Sequence, residues 1–129
     1  MSDPALAREI LSQILWSAET IAKRFAPITS PNDFITSDEG MEKLDAICMQ
    51  LIALGESVKN LDKVTDGQLL GRYPGIEWKR VMGMRDIISH HYFDLDAEVV
   101  YSVCTDHIGK LAEEVRVMVA DIESHGPAL

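Results

Sequence analysis

The sequence predicts an all-α protein, an antiparallel four-helix-type bundle with one additional short helix. Three observations lead there. Apolar residues recur at steps of three and four along most of the 129 residues. No sustained alternation of β-branched and polar residues marks a strand. Helix-start signals stand in front of the apolar stripes. Hydrophobic residues make up 47% of the chain and charged residues 26%, a globular composition. A chain this size buries about two-thirds of its unfolded surface. It reads as one domain over residues 1–129, with a frayed tail from about 125.

The first helix is expected to start at Asp3, an N-cap, with Pro4 at the first helical position. Its stripe is Leu11, Leu15, Ala18, Ala22 and Phe25, and Pro27 ends it. Residues 27–37 read as a loop. Thr36 with Glu39 forms a capping box for the second helix, whose stripe is Met41, Leu44, Cys48, Leu51, Gly55 and Val58. Gly55 on that stripe either lets another helix approach closely or is merely tolerated. A short helical turn over 65–70 comes next. After Tyr73-Pro74-Gly75, a third helix runs from about 77 to 90 or 91, burying Trp78, Val81, Met82 and Ile88. Asp96 caps the last helix, which carries Val100, Val103, Cys104, His107, Leu111, Val115, Met118 and Ile122 to near Ser124. His107 reads as a packed core histidine, and Met41, Met82 and Met118 as core filler.

Charge narrows the function. Twelve basic against 21 acidic residues leave a net charge of -9. That argues against a general nucleic-acid coat and a polybasic membrane binder. No apolar run reaches the ~20 residues of a membrane span, and the first residues do not resemble a signal peptide. Cys48 and Cys104 read as small core residues, and the reducing cytoplasm is the expected compartment. The charge is also uneven. Residues 59–85 hold Lys59, Lys63, Arg72, Lys79, Arg80 and Arg85 against three acidic residues, a local +3. Such a zone attracts phosphate, or is simply a solvated helix face.

The string from Arg85 to Tyr92 gathers a guanidinium, imidazoles and a phenol within eight residues. Metal-independent RNA cleavage needs such groups. A base takes the 2′-hydroxyl proton, an acid protonates the leaving 5′-oxygen, and a cation stabilises the charge on phosphorus. Histidine suits acid–base work, and arginine's planar fork suits phosphate. On one continuous helix, however, positions 85 and 90 lie about 140° apart. Either the helix breaks near His90 or a second copy completes the site. The bland alternatives are a surface arginine, helix-end histidines and a core anchor at Tyr92–Phe93. His90, His91, Asp94 and Asp96 lack zinc-type spacing, so no metal and no cofactor is expected.

Arg85, four residues, His90, one residue, Tyr92 resembles the R-x4-H-x-Y signature of the HEPN superfamily. Residues 54–61 (LGESVKNL), 73–78 (YPGIEW), 83–86 (GMRD) and 92–96 (YFDLD) resemble blocks of its HepT-like ribonuclease toxin branch. The resemblance covers about 36–118. It implies an all-α homodimer with the motifs facing across the interface. It also implies a metal-independent endoribonuclease toxin beside a minimal nucleotidyltransferase antitoxin that transfers AMP to the motif tyrosine. By that resemblance Arg85 stabilises the scissile phosphate, His90 is acid or base, and Tyr92 accepts AMP. Asp86 supports by orienting Arg85 or His90, and His91, at a variable position, either assists or is idle. The alternative is a non-catalytic helical partner module of a nucleotidyltransferase. The acidic balance and Asp86 lean that way, and the intact motif leans toward the ribonuclease.

Overall fold

The computed structural model describes residues 3–90 and 96–125, except the side chains of His90 and His125. Helix α1 (Pro4–Phe25) starts at the predicted cap. Asp3 Oδ1 accepts the N–H groups of Ala5 at 3.0 Å and Leu6 at 3.4 Å, and Pro4 occupies the first helical position. Its buried face is Ala7, Ile10, Leu11, Ile14, Ser17, Ala18 and Ile21. That face is rotated from the predicted stripe: Leu15 and Phe25 are half-buried and Ala22 is exposed. The isoleucines decide the rotation, because burying one removes far more apolar area than burying alanine.

The predicted loop contains a 3₁₀ turn over Pro31–Phe34. Phe34 is fully buried, with its ring 6.2 Å from that of Phe25. Thr29 donates its backbone N–H and its hydroxyl to Asp33 Oδ2 at 2.8 and 2.9 Å. These bonds hold the Asp33 carboxyl below its usual range.

Helix α2 (Asp38–Val64) corrects the predicted cap: Ser37, not Thr36, is the N-cap, and its Oγ accepts the Gly40 N–H at 3.0 Å. Thr36 belongs to the preceding turn, where its N–H donates to the Asn32 carbonyl. The Asp33 carbonyl lies so close to Gly40 that any Cβ there would collide with it. Cys48, Leu51, Gly55 and Val58 are buried as predicted, joined by Ile47, Leu54 and Leu61. Leu44 is half-buried and Met41 is exposed. Gly67, at φ 72°, closes the helix C-terminus by donating to the Asp62 carbonyl at 2.8 Å.

The short turn expected over 65–70 is instead a 3₁₀ turn over Leu70–Arg72. The expected third helix is two, α3 (Trp78–Met82) and α4 (Met84–His90), separated by Gly83. Trp78 and Ile88 are buried, Val81 and Met82 half-buried. The last helix is also divided. Asp96 caps α5 (Ala97–Asp106) through the Glu98 N–H at 2.8 Å, as predicted, and α6 (Ile108–His125) follows a break at His107. The buried series steps from Cys104 to Ile108, so His107 is exposed, not packed in the core.

Among the described residues the fold is all-α, without strands. α1 packs on α2 and α6, α2 carries α3 and α4, and α5 packs on α6 and the first 3₁₀ turn. The ion pairs Arg8–Glu123 (2.6 Å) and Arg116–Glu19 (3.2 Å) show α1 and α6 antiparallel. Arg24, near the end of α1, shares a surface groove with Glu39, Glu42 and Lys43 at the start of α2, so this pair is antiparallel too. Met118 is fully buried. Cys48 and Cys104 are buried free thiols, and burial pushes them up to about 11 and about 12. No helix among the described residues is long and apolar enough to cross a membrane.

Candidate functional site

Two glycines place the motif arginine. Gly83 ends α3 with its N–H on the Lys79 carbonyl at 3.1 Å, and α4 restarts at Met84. Gly55 supplies the surface on which this joint rests. A Cβ built on Gly55 would meet the Val81 carbonyl at 2.7 Å and Met84 Cβ at 3.4 Å. The close-approach reading of Gly55 is therefore correct: only a residue without a side chain lets the α3–α4 joint sit so near α2.

Arg85 follows Met84, and Glu56 follows Gly55. Their side chains meet, with Arg85 Nη1 3.3 Å from Glu56 Oε1. Both are open to water, at 59% and 41% side-chain exposure. Sequence spacing did not single out Glu56, which lies 29 residues from Arg85. Its place beside Gly55, within the 54–61 block, is the signal that could have drawn attention to it.

The segment leading into α3 is anchored to α6. The Tyr73 hydroxyl donates to Asp121 Oδ2 at 2.7 Å, and Trp78 Nε1–H donates to the Tyr73 carbonyl at 2.9 Å. Burial and the adjacent Asp121 carboxylate push the Tyr73 phenol up to about 12.

The remaining predicted site residues fall as follows. Asp86 is exposed in the first turn of α4. α4 runs from Met84 to His90, so positions 85 and 90 lie on one helix, about 140° apart around its axis. His91, Tyr92 and Asp94 lie outside the described residues. Asp96 serves as a helix cap. Among the described residues no three His, Cys, Asp or Glu side chains are grouped to hold a metal ion.

The basic zone is milder in three dimensions than in sequence. Lys59, Lys63, Arg72 and Lys79 are exposed. Arg80, however, pairs with Glu77 at 2.8 Å, and Arg85 with Glu56. Two of the six basic residues of the zone are thus each paired with a carboxylate.

A family model described as "Ribonuclease HepT-like" matches residues 14–118. A Methanocaldococcus jannaschii protein named "Putative RNase" is 30% identical over 78 residues, 60% of this chain and 61% of its own length. A second from that organism, named "Gamma-glutamylcyclotransferase and putative RNase", is 30% identical over 115 residues, 89% of this chain and 48% of its own. A "Putative RNase" of Caldanaerobacter subterraneus subsp. tengcongensis is 29% identical over 109 residues, 84% of this chain and 90% of its own. The chain thus spans less than two-thirds of the first two relatives. No solved structure gives a significant match to it.

Proposed function

The chain belongs to the HepT-like ribonuclease family, and from that premise we propose that it is a metal-independent endoribonuclease toxin, working as a homodimer and silenced by a minimal nucleotidyltransferase antitoxin. The observation that carries the reading is the intact Arg85-x4-His90-x-Tyr92 series, with Arg85 displayed to solvent at the α2–α4 contact.

In this reading Arg85 binds the non-bridging oxygens of the scissile phosphate. One His90 imidazole takes the proton from the ribose 2′-hydroxyl, whose oxygen attacks phosphorus. A second imidazole gives a proton to the departing 5′-oxygen. The products are a 2′,3′-cyclic phosphate and a 5′-hydroxyl, so atoms and protons balance without a metal. Asp86 orients Arg85 or His90, and His91 assists from the neighbouring position.

Helix geometry supports a site shared between two copies, because positions 85 and 90 diverge on one α4. The surroundings of Arg85 suit such an interface. Met49, Ala53 and Glu56 recur at steps of four and three along one exposed face of α2. Met49 there and Ile87 on α4 are large apolar residues open to solvent. Silencing follows from chemistry at Tyr92. The antitoxin transfers the AMP group of ATP to the phenol oxygen, releasing pyrophosphate. The added bulk and anionic charge then exclude RNA phosphate from the cleft.

The test is cleavage of RNA by the purified protein in EDTA, with Arg85→Ala and His90→Ala alongside and Tyr92 checked by intact mass. The expected result is cleavage by the wild type and loss of about 100-fold or more in each variant. No cleavage by unmodified wild type transfers the assignment to a non-catalytic helical partner of a nucleotidyltransferase. The −9 net charge and the carboxylate beside Arg85 are consistent with that second reading.

A further inference from the structure

We propose that Glu56 is a positioning residue for Arg85. Its carboxylate holds one end of the guanidinium, so that the opposite edge is presented to an RNA phosphodiester. The inference rests on the ribonuclease reading above.

The contact has the right form. Glu56 Oε1 engages a single nitrogen, Nη1, at 3.3 Å. A guanidinium offers five N–H donors in a planar fork. The Nε–Nη2 edge takes no part in this contact. That edge can bind two phosphate oxygens at once.

The contact also has a built register. The Gly55–Met84 approach fixes how α2 and α4 meet, and Glu56 and Arg85 are the next residue on each helix. A side chain at 55 would push α4 away and open the gap that Glu56 closes. Exposure points the same way. An ion pair this open to water contributes little to stability. What the contact does supply is a preferred direction for a long, rotamer-rich side chain.

The same carboxylate has an electrostatic consequence. It stands near the phosphate that Arg85 binds and repels it. Glu56 therefore raises kcat by fixing Arg85 and raises KM by its charge, two effects that substitutions can separate. Glu56→Gln keeps an acceptor for Nη1–H and removes the charge. Glu56→Ala removes both.

The experiment measures RNA cleavage kinetics in EDTA for the wild type, Glu56→Gln, Glu56→Ala, Arg85→Ala and the Glu56→Ala/Arg85→Ala pair. Binding of a labelled 2′-O-methyl RNA and thermal melts run alongside. Both Glu56 variants are expected to lower KM by about threefold at low salt, with the difference fading at high salt. Glu56→Gln is expected to keep kcat within about twofold of wild type, and Glu56→Ala to lose about fivefold. The double variant is expected to be no worse than Arg85→Ala, because a positioning residue acts only through the group it positions.

Equal kcat in wild type and Glu56→Ala overturns the proposal, as does an equal fall in both Glu56 variants that tracks their melting temperatures. If Glu56→Ala does not fold, Glu56→Met, which keeps the side-chain length without an acceptor for Nη1–H, takes its place in the kcat comparison. A KM and an RNA affinity unchanged from wild type overturn the proposal. Failure of the underlying reading looks different. Wild type then does not cleave, and Arg85→Ala binds the RNA as well as wild type does, which removes the ribonuclease and the role of Glu56 together.

Discussion

Helices α1 and α2 run for 22 and 27 residues and bury seven and eight of them. Helices α3 and α4 run for five and seven, and among their described side chains only Trp78 and Ile88 are buried. The long pair makes the most extensive helix–helix packing among the described residues. The short pair is well below the length at which an isolated helix persists in water, so its position is set by what it rests on. The arginine of the motif lies on the short pair. The difference teaches where precision comes from here: the motif arginine stands on a segment with little stability of its own, located by the Gly55 contact with α2 and by the Tyr73–Asp121 tie to α6.

The comparison predicts a separation of stability from activity. Ile14→Ala removes a fully buried side chain from α1. It should cost about 2–5 kcal/mol in urea unfolding while leaving cleavage per folded molecule unchanged. A loss of cleavage with no loss of stability would break the comparison at its strong end. Gly55→Ala probes the junction, since its Cβ would press on the Val81 carbonyl. Overpacking of this kind should cost about 1–3 kcal/mol and, by moving α4, also lower cleavage. Stability lost without activity lost would mean that the joint tolerates a shift. The smallest effect sharpens the description of the long pair. Ser37→Ala should cost about 1 kcal/mol as a true N-cap, and Thr36→Ala less than about 0.5 kcal/mol. Equal costs would return the cap to a shared role.

Signals that act within a few residues were legible. Asp3 and Asp96 cap the helices that follow them, because N-cap chemistry needs only a side-chain oxygen and two N–H groups within reach. The central stripe of α2 was legible for the same reason, and so was the motif, a fixed spacing. Features decided by distant partners were not. Phe34 is buried because Phe25 and the start of α2 enclose it, and nothing local marks a residue in a proline-rich turn as core. Thr36 satisfies the capping-box spacing, yet the turn before it had already taken its backbone. The breaks at Gly83 and His107 were invisible because the apolar period runs through both. Glu56 was missed because the Arg85 contact joins two helices that sequence reasoning had no means to bring together.

The ion pairs between α1 and α6 join residues 8 and 19 to residues 123 and 116, so the two ends of the fold close over nearly the whole chain. Loop-closure entropy makes such a contact slow to form relative to the neighbouring α1–α2 pairing. A chain emerging from the ribosome can pair α1 with α2 early, but the face of α1 that awaits α6 stays uncovered until synthesis passes residue 108. Arg85 is made within that interval. Tyr73 meanwhile has no Asp121 to hold it, so the approach to the motif lacks this tie until the last helix arrives. A chain that stops short of α6 would therefore carry the whole motif without its anchor.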